Sequence, residues 1–325
     1  MDSLDNIQIE IKNSQSFERL NEIYRQKFEI VNQVGIIFAI GRAIISQCND
    51  IYNWIFKKCF PDYLKSNEAN LNLLRKLIVN QILGLLIMFL LTKFIKKTTI
   101  RKRSYGYKKY LANLFIDDGL SIVGFFIGNV IEFPFFNKIS ENESEDNSNI
   151  FLEFFAICLA SPITEEFIFR KFLIDRLAVY SKTLAIFSSG IIFGIFHINL
   201  PQFFGAMLSG WALAYAYVET GNILIPISYH ILENSFSIIS KSIIQKDFNN
   251  NQIRDKIYYV MIFLRLIISL IGIIILIIYR KKIKITGEEN RSSDKWKFFK
   301  SYGMWIFVLE GFLLSSLFYM YRISI

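Results

Sequence analysis

The sequence predicts an all-α protein, a polytopic bundle of about eight transmembrane helices with a ninth as an alternative. Three observations support this fold class. Of the 325 residues, 53% are hydrophobic and 32 are phenylalanine, which suits helices that face lipid. Apolar runs of about 20 residues, the length that spans a bilayer, recur along the whole chain. The basic residues are concentrated in short segments between these runs, a pattern typical of loops at a cytoplasmic membrane face.

Eight segments have the length and composition of a membrane helix. They are 77–95, 114–136, 150–174, 183–199, 203–219, 223–241, 257–279 and 301–321. A ninth segment, 28–47, contains Asn32, Gln33 and Arg42, so it either spans the membrane or lies along its surface as an amphipathic helix.

We divide the chain into four parts by this pattern. An N-terminal region holds one or two membrane helices and a basic loop, a second part holds a membrane helix and an acidic loop, a third is the core, and the last is a pair of membrane helices. Their ranges are 1–110, 111–149, 150–245 and 246–325.

The charges of the connecting segments predict the orientation of the chain. The segment 93–109 has eight Lys or Arg and no acidic residue, and 280–300 has eight basic residues against three acidic ones. The segment 137–149 has four acidic residues and one lysine. We therefore expect an integral, multi-pass membrane protein with the basic loops in the cytoplasm and 137–149 outside. The net charge of +9 is then a property of membrane loops, and no nucleic-acid partner is expected.

Three predicted helices carry polar and ionisable residues at membrane depth. An ionisable side chain is costly there and indicates a functional site. These residues are Glu165, Glu166 and Arg170 in 150–174, His197 in 183–199, and His230 and Asn234 in 223–241.

The depths of these residues allow them to meet. Glu165, His197 and His230 lie roughly 15, 21 and 12 Å from the inner ends of their helices, at 1.5 Å per residue. These values agree within the tolerance of tilted helices. The sequence therefore predicts one buried cluster, which is either catalytic or ion-binding.

Helical geometry separates the two glutamates. Glu166 and Arg170 are four residues apart and share a face, so we expect Arg170 to neutralise Glu166. Glu165 points about 100° away from Glu166 and has no evident partner on its own helix. Pro162 lacks an N–H and should bend the helix before these acids and free a carbonyl. A purely structural ion pair is the alternative reading of Glu166 and Arg170.

Other ionisable residues lie outside this cluster. We expect Arg265 and Glu310 to pair between the last two helices, and Asp117 and Asp118 to be solvated at a cytoplasmic helix end. Glu233, three residues after the second histidine, either orients that histidine or lines a cavity.

The polar residues of the core resemble the signature of the CPBP family of intramembrane proteases, named for CAAX-protein and bacteriocin processing and also called the Abi family. That signature is EExxxR, then FxxxH, then HxxxN or HxxxD, on successive helices. The resemblance covers residues 150–240, less than a third of the chain. The matching groups are Glu165-Glu166-xxx-Arg170, Phe193-xxx-His197 and His230-xxx-Asn234.

The resemblance implies hydrolysis of peptide bonds in the membrane by an activated water. Glu165 with His197 would bind and deprotonate the water, since a carboxylate in a low-dielectric cavity is suited to act as a base. His230 and Asn234 would donate hydrogen bonds to the oxyanion. The supporting residues would be Glu166, Arg170 and Phe193.

The need for a metal stays open at this point. Glu165, His197 and His230 would provide a His2Glu zinc site, as in a metalloprotease. The chain has no HExxH motif, and glutamates with histidine and asparagine can activate water without zinc. The cofactor is therefore either none or a single divalent metal, with the metal-free mechanism slightly favoured.

The implied partners are membrane lipids and a peptide or lipidated-protein substrate. Processing of prenylated proteins, of bacteriocins or of signalling peptides, and self-immunity, are the processes that the resemblance suggests. A transporter or ion-binding bundle is the alternative from another class, although no repeated half typical of transporters is evident. A catalytically inactive relative acting as a binding protein is a further alternative.

Overall fold

A computed structural model describes residues 2–136, 149–197, 199–245, 251–281, 283, 285 and 292–324. Within these ranges the chain is helical and contains no strand, which confirms the all-α fold class. The described residues form nine helical rods. They are α1 (Asp2–Cys59), α2 (61–92), α3 (Tyr107–Phe136), α4 (150–177), α5 (Lys182–Ile195), α6 (Leu200–Thr220), α7 (Leu224–Gln245), α8 (Asn251–Tyr279) and α9 (Tyr302–Ser324).

Two of these rods change their helical pitch along their length. α2 consists of Pro61–Arg75, the π-helix Lys76–Leu83 and Gly84–Thr92. α4 consists of Ile150–Glu153, the π-helix Phe154–Ala160, Ser161–Glu166, a second π-helix Phe167–Ile174 and Asp175–Leu177. A 3-10 segment, Ser292–Lys300, leads into α9.

Four helical stretches in the described ranges are long and apolar enough to cross a membrane. They are Phe17–Cys59, Asn67–Thr92, Tyr107–Phe133 and Gln252–Tyr279, and Lys182–Ile195 and Tyr302–Leu317 are shorter apolar helices. This supports a transmembrane bundle, while the predicted total of eight or nine spans stays a prediction.

The segment 28–47 lies within α1 and packs into the bundle. Val31, Val34 and Phe38 are fully buried. α1 approaches α9 so closely that a Cβ on Gly35 would lie 2.3 Å from the backbone of Gly303, and only glycine permits this contact. Of the two alternatives for 28–47, packing within the bundle fits better than an isolated surface helix.

The outer and inner helices differ in what they bury. α4, α5 and α6 carry many of the fully buried apolar side chains, including Leu173, Leu184 and Leu213. α8, by contrast, exposes large apolar side chains such as Phe263 and Leu270, as expected for a helix that faces lipid. The polar residues predicted to cluster therefore lie in the most enclosed part of the bundle.

The basic segment that follows α2 crosses one end of the bundle. The N–H of Thr98 donates to the carbonyl of Asp175 at 2.7 Å, at the end of α4. The N–H of Arg103 donates to the carbonyl of Thr220 at 2.9 Å, at the end of α6. Gly221, at φ 61°, allows this segment to approach, since a Cβ there would lie 2.6 Å from the carbonyl oxygen of Arg101. The basic segment and the ends of α4 and α6 thus share one face.

The other loops used to predict orientation are less completely described. Within 137–149 only Asn149 belongs to the described residues, and within 280–300 the described ones are 280, 281, 283, 285 and 292–300. The sidedness of the loops therefore stays a prediction.

Candidate active site

The two glutamates of α4 lie on its α-helical turn between the π-helices. In a π-helix each N–H bonds to the carbonyl five residues earlier, and that of Ser161 bonds to Ala156 in this way. The next residue, Pro162, has no N–H, so the Ile157 carbonyl is left without its helical donor. The side-chain amide of Asn234 on α7 donates to this carbonyl at 2.8 Å. The expectation that Pro162 frees a carbonyl agrees with this arrangement.

Glu166 and Arg170 form a fully buried ion pair. The Nε of Arg170 lies 2.8 Å from Oε2 of Glu166, and Nη2 lies 3.2 Å from Oε1. Both side chains are 0% exposed, and Nη1 of Arg170 donates to the hydroxyl of Ser189 at 2.8 Å. The spacing of four residues thus produces the contact expected from helical geometry.

His230 lies between the two glutamates. Its Nδ1 is 3.1 Å from Oε1 of Glu166, and its Nε2 is 3.8 Å from Oε2 of Glu165. A carboxylate can only accept a hydrogen bond, so Nδ1 carries the proton and Nε2 faces Glu165. Glu166 therefore contacts both Arg170 and His230, which helical spacing along α4 alone does not reveal.

Glu165 is the more open of the two acids. Its side chain is 27% exposed, against 0% for Glu166. The hydroxyl of Ser161 donates to Oε1, so the expectation that Glu165 lacks a partner on its own helix is wrong. The reason is that a hydroxyl four residues earlier lies on the same helical face. The other oxygen, Oε2, accepts no hydrogen bond from the part of the chain that the structure describes.

His197 lies in the turn after α5, not within a helix reaching residue 199 as predicted. α5 ends at Ile195. Nδ1 of His197 lies 2.9 Å from the Phe193 carbonyl, which only accepts, so in the neutral ring the proton is assigned to Nδ1 and Nε2 is left as an acceptor.

Phe193 is the common neighbour of the charged groups. Its ring meets those of His197 and His230 edge-on, with centroids 4.9 and 5.7 Å apart. The guanidinium of Arg170 lies 5.1 Å from the same ring. Phe193 thus contacts both histidines, while no hydrogen bond joins His197 to His230 or Glu165 among the described residues.

The residues of the alternative zinc site do not meet as a ligand set. Among the described residues, no group of three or more His, Cys, Asp or Glu side chains is placed to hold a metal ion. Glu165, His197 and His230 therefore do not fit the His2Glu arrangement in this structure.

Comparisons with known proteins identify the family. Residues 147–236 match the family described as type II CAAX prenyl endopeptidase Rce1-like. A protein of Bacillus subtilis (strain 168) named "Putative membrane peptidase YdiL" is 30% identical over 181 residues, covering 50% of this chain and 69% of that protein. The chain belongs to the Rce1-like CAAX endopeptidase (CPBP) family. No solved structure matches the chain.

As a member of the Rce1-like family, this chain is an intramembrane protease, and its substrate is a peptide or a protein. The matched range, 147–236, spans α4 to α6 and the part of α7 that carries His230 and Asn234. It includes every residue of the predicted site. Two further groups of ionisable residues lie wholly or partly outside it.

The first of these groups shows that the predicted pairing of Arg265 with Glu310 is wrong. Arg265 on α8 instead lies 3.0 Å from Asp118 on α3. Glu310 on α9 lies 3.0 Å from Arg42 on α1. Consecutive helices need not be neighbours, and here α8 packs against α3 while α9 packs against α1. Asp118 is therefore paired, not solvated as predicted.

The second group lies beside a cavity of about 380 Å³ between α3, α7 and α8. Asp117 is buried and accepts a 2.7 Å hydrogen bond from Ser209, so the prediction that it is solvated is also wrong. Glu233 accepts from Ser121 and lines the cavity, and Nη2 of Arg265 lies 3.7 Å away. Of the two alternatives for Glu233, lining a cavity is the one the structure shows.

Proposed function

We propose that this chain is an intramembrane endopeptidase in which Glu165, without a metal, activates the hydrolytic water. The observation that carries the proposal is the position of His230. It faces the partly open Glu165 on one side and is held by the fully buried Glu166 on the other. The two carboxylates share one histidine but differ in side-chain exposure, 27% for Glu165 and 0% for Glu166, and this difference suits different chemical tasks.

We place the hydrolytic water beside Glu165 and His230. Their nearest atoms are 3.8 Å apart, which exceeds the usual 2.7–3.2 Å of a direct hydrogen bond. A water about 2.8 Å from each atom would lie to one side of the line that joins them. Because Oε2 of Glu165 accepts no hydrogen bond from the described residues, it is available to take the proton of that water.

His230 is proposed to stabilise the oxyanion. With Nδ1–H held by Glu166, the imidazolium form presents Nε2–H toward the site. The charges of Glu165, Glu166, Arg170 and the His230 imidazolium then sum to zero, which suits a site at membrane depth. One well-placed oxyanion donor is worth about 10²–10³ in kcat.

The reaction balances with these groups. Glu165 accepts a proton as the water oxygen attacks the carbonyl carbon, and the resulting oxyanion accepts a hydrogen bond from Nε2–H of His230. The C–N bond then breaks, and Glu165 returns the proton to the leaving amine nitrogen. Nε2 of His197, left as an acceptor, is proposed to orient the water.

Asn234 is proposed to anchor the site instead of contacting the oxyanion. Its amide already donates to the Ile157 carbonyl that Pro162 leaves free. This bond joins α7 to α4 one turn from His230, so it sets the height of His230 relative to Glu165.

The proposed substrate is a membrane-associated peptide segment, with a prenylated C-terminal peptide as the first candidate. The support is the family description, which names a CAAX prenyl endopeptidase. We also propose that the face formed by the basic segment and the ends of α4 and α6 is cytoplasmic, as the charge pattern predicts.

The test is cleavage by detergent-purified protein of a farnesylated CAAX peptide, its unprenylated counterpart and an apolar signal-like peptide. Glu165→Gln is expected to lower the rate about 10²-fold or more. Glu132→Gln, which changes a glutamate of α3 outside the site, is the matched control and should leave the rate unchanged.

Three outcomes would contradict the proposal. Cleavage by Glu165→Gln at the wild-type rate would remove Glu165 as the base. Loss of activity with 1,10-phenanthroline that zinc restores would show a metal-dependent reaction. No cleavage of any peptide by the wild-type protein would favour the ion-binding or transport alternative.

A further inference from the structure

We propose that Arg42, on the N-terminal helix α1, is the positioning residue that holds His197 in place. The proposal rests on the proposed function, because it assigns His197 to the same reaction. Arg42 is buried inside the bundle, at 6% exposure, although it lies far from the family-matched range. Its guanidinium contacts the carbonyl of Ile195, the last residue of α5, which lies two residues before His197.

The carbonyl of Ile195, at the end of α5, lacks its usual helical hydrogen-bond donor. In a continued helix the N–H of Asn199 would bond to the carbonyl of Ile195. Here that N–H bonds to the carbonyl of His197 at 2.7 Å, which forms the tight turn. Nη1 of Arg42 donates to the Ile195 carbonyl at 3.4 Å instead. A cation at this end also interacts favourably with the helix dipole.

The aromatic residue before His197 is fixed by the same guanidinium. Arg42 lies 5.5 Å from the centroid of the Phe196 ring and 4.3 Å from that of Phe307, both within cation–π range. The two rings stack with centroids 5.7 Å apart. Arg42 therefore contacts the carbonyl and the side chain of the two residues that lead into His197.

Arg42 is itself held by α9. Its Nη2 lies 3.0 Å from both the Phe307 carbonyl and the Glu310 carboxylate. Gly311 leaves room for the guanidinium, since a Cβ there would lie 3.1 Å from Nη1 of Arg42 and 2.3 Å from Ile195. The two outer helices α1 and α9, which lie outside the family-matched range, thus complete the support of a residue within it.

The expected effect of Arg42→Gln is on catalysis more than on substrate binding. Without the contacts of Arg42, the turn that carries His197 relaxes. A displacement of about 1 Å then lowers kcat roughly 10- to 100-fold with KM nearly unchanged. Arg42→Lys keeps a cation at the end of α5 and should recover part of kcat. Glu310→Gln is the matched control, because its amide oxygen still accepts from Arg42, so kcat should stay within about threefold of wild type.

A second measurement does not depend on proteolysis. The chain has only two histidines, so [15N]histidine labelling gives two imidazole spin systems, which a His230→Gln sample assigns. Arg42→Gln should shift the His197 resonances and leave those of His230 in place, and Glu310→Gln should leave both in place.

The outcomes separate this proposal from the proposed function. If Arg42→Gln lowers only the melting temperature, with kcat and the His197 resonances unchanged, Arg42 is structural and the proposal is wrong. If the wild-type protein cleaves no peptide but Arg42→Gln moves the His197 resonances, the positioning contact stands and the protease assignment fails.

Discussion

Replacing Glu166 by glutamine removes a carboxylate that serves two partners in a fully enclosed place. Glu166 contacts the guanidinium of Arg170 through both oxygens and Nδ1 of His230 through one. Replacing Glu165 removes a carboxylate whose side chain is 27% exposed and accepts one protein hydrogen bond, from Ser161. The same chemical change is therefore expected to have different effects at adjacent positions.

The difference between the two variants in the free energy of unfolding can be estimated from the contacts. Removing one partner of a buried ion pair costs about 3–5 kcal/mol, because the other charge is left uncompensated. Arg170 keeps its hydrogen bond to Ser189, and a glutamine oxygen still accepts one N–H, so we expect the lower end, about 3 kcal/mol, for Glu166→Gln. At about 2–4 °C per kcal/mol this lowers Tm by roughly 6–12 °C. Glu165→Gln keeps an acceptor for Ser161 and should cost under about 1 kcal/mol.

The assay is thermal unfolding in detergent together with peptide cleavage, for both variants. Glu165→Gln should be inactive with a Tm near that of wild type, and Glu166→Gln should lose both activity and thermal stability. A Glu166→Gln protein as stable as wild type, together with a Glu165→Gln protein that still cleaves, would reverse the assignment of the two acids.

Three further predictions concern two other contacts and the orientation of the chain in the membrane. Asn234→Ala leaves the Ile157 carbonyl without its donor and should lower the free energy of unfolding by about 1–3 kcal/mol. We expect a lower Tm together with a lower kcat. An unchanged Tm would show that the bond is dispensable. Arg265→Gln leaves Asp118 without its cation and should lower Tm by several degrees while cleavage in the folded fraction persists, and loss of cleavage at unchanged Tm would contradict this. Single cysteines placed in 93–106 should react with membrane-impermeant labels only after the cytoplasmic side is opened, and labelling in intact cells would overturn the orientation.

The buried polar cluster could be predicted because the physical rules that indicate it act on single residues and within single helices. Buried ionisable residues must find partners, so acids and histidines on neighbouring membrane helices indicate a shared site. The pair Glu166 and Arg170 follows from the spacing of four residues within one helix. The position of His230 between Glu165 and Glu166 depends on how α7 lies against α4, and spacing within one helix carries no such information.

The end of α5 at Ile195 differs from the prediction, although the sequence contains a signal for it. The side chain of Asn199 accepts from the N–H of Gln202 at 2.9 Å and caps α6, and Pro201 lies in the first turn. Asparagine followed by proline in a first turn is an N-cap pattern, so it predicts that a new helix begins at 200. This pattern places His197 in the turn before that helix. The two π-helices of α4 have no comparable signal beyond Pro162.

The wrongly predicted pairs show where helix order misleads. Arg265 and Glu310 lie in consecutive predicted helices, yet each finds its partner on a helix from the first half of the chain. Close backbone contacts fix this arrangement, since a Cβ on Gly272 would lie 1.8 Å from the carbonyl oxygen of Phe115, and one on Gly303 would lie 1.9 Å from that of Asn32. Each site motif lies within one helix or at its end, so the motifs are recognisable without knowing these contacts. The geometry that lets the motifs act is set between helices, which is why a residue such as Arg42 can matter to the site while lying outside every motif.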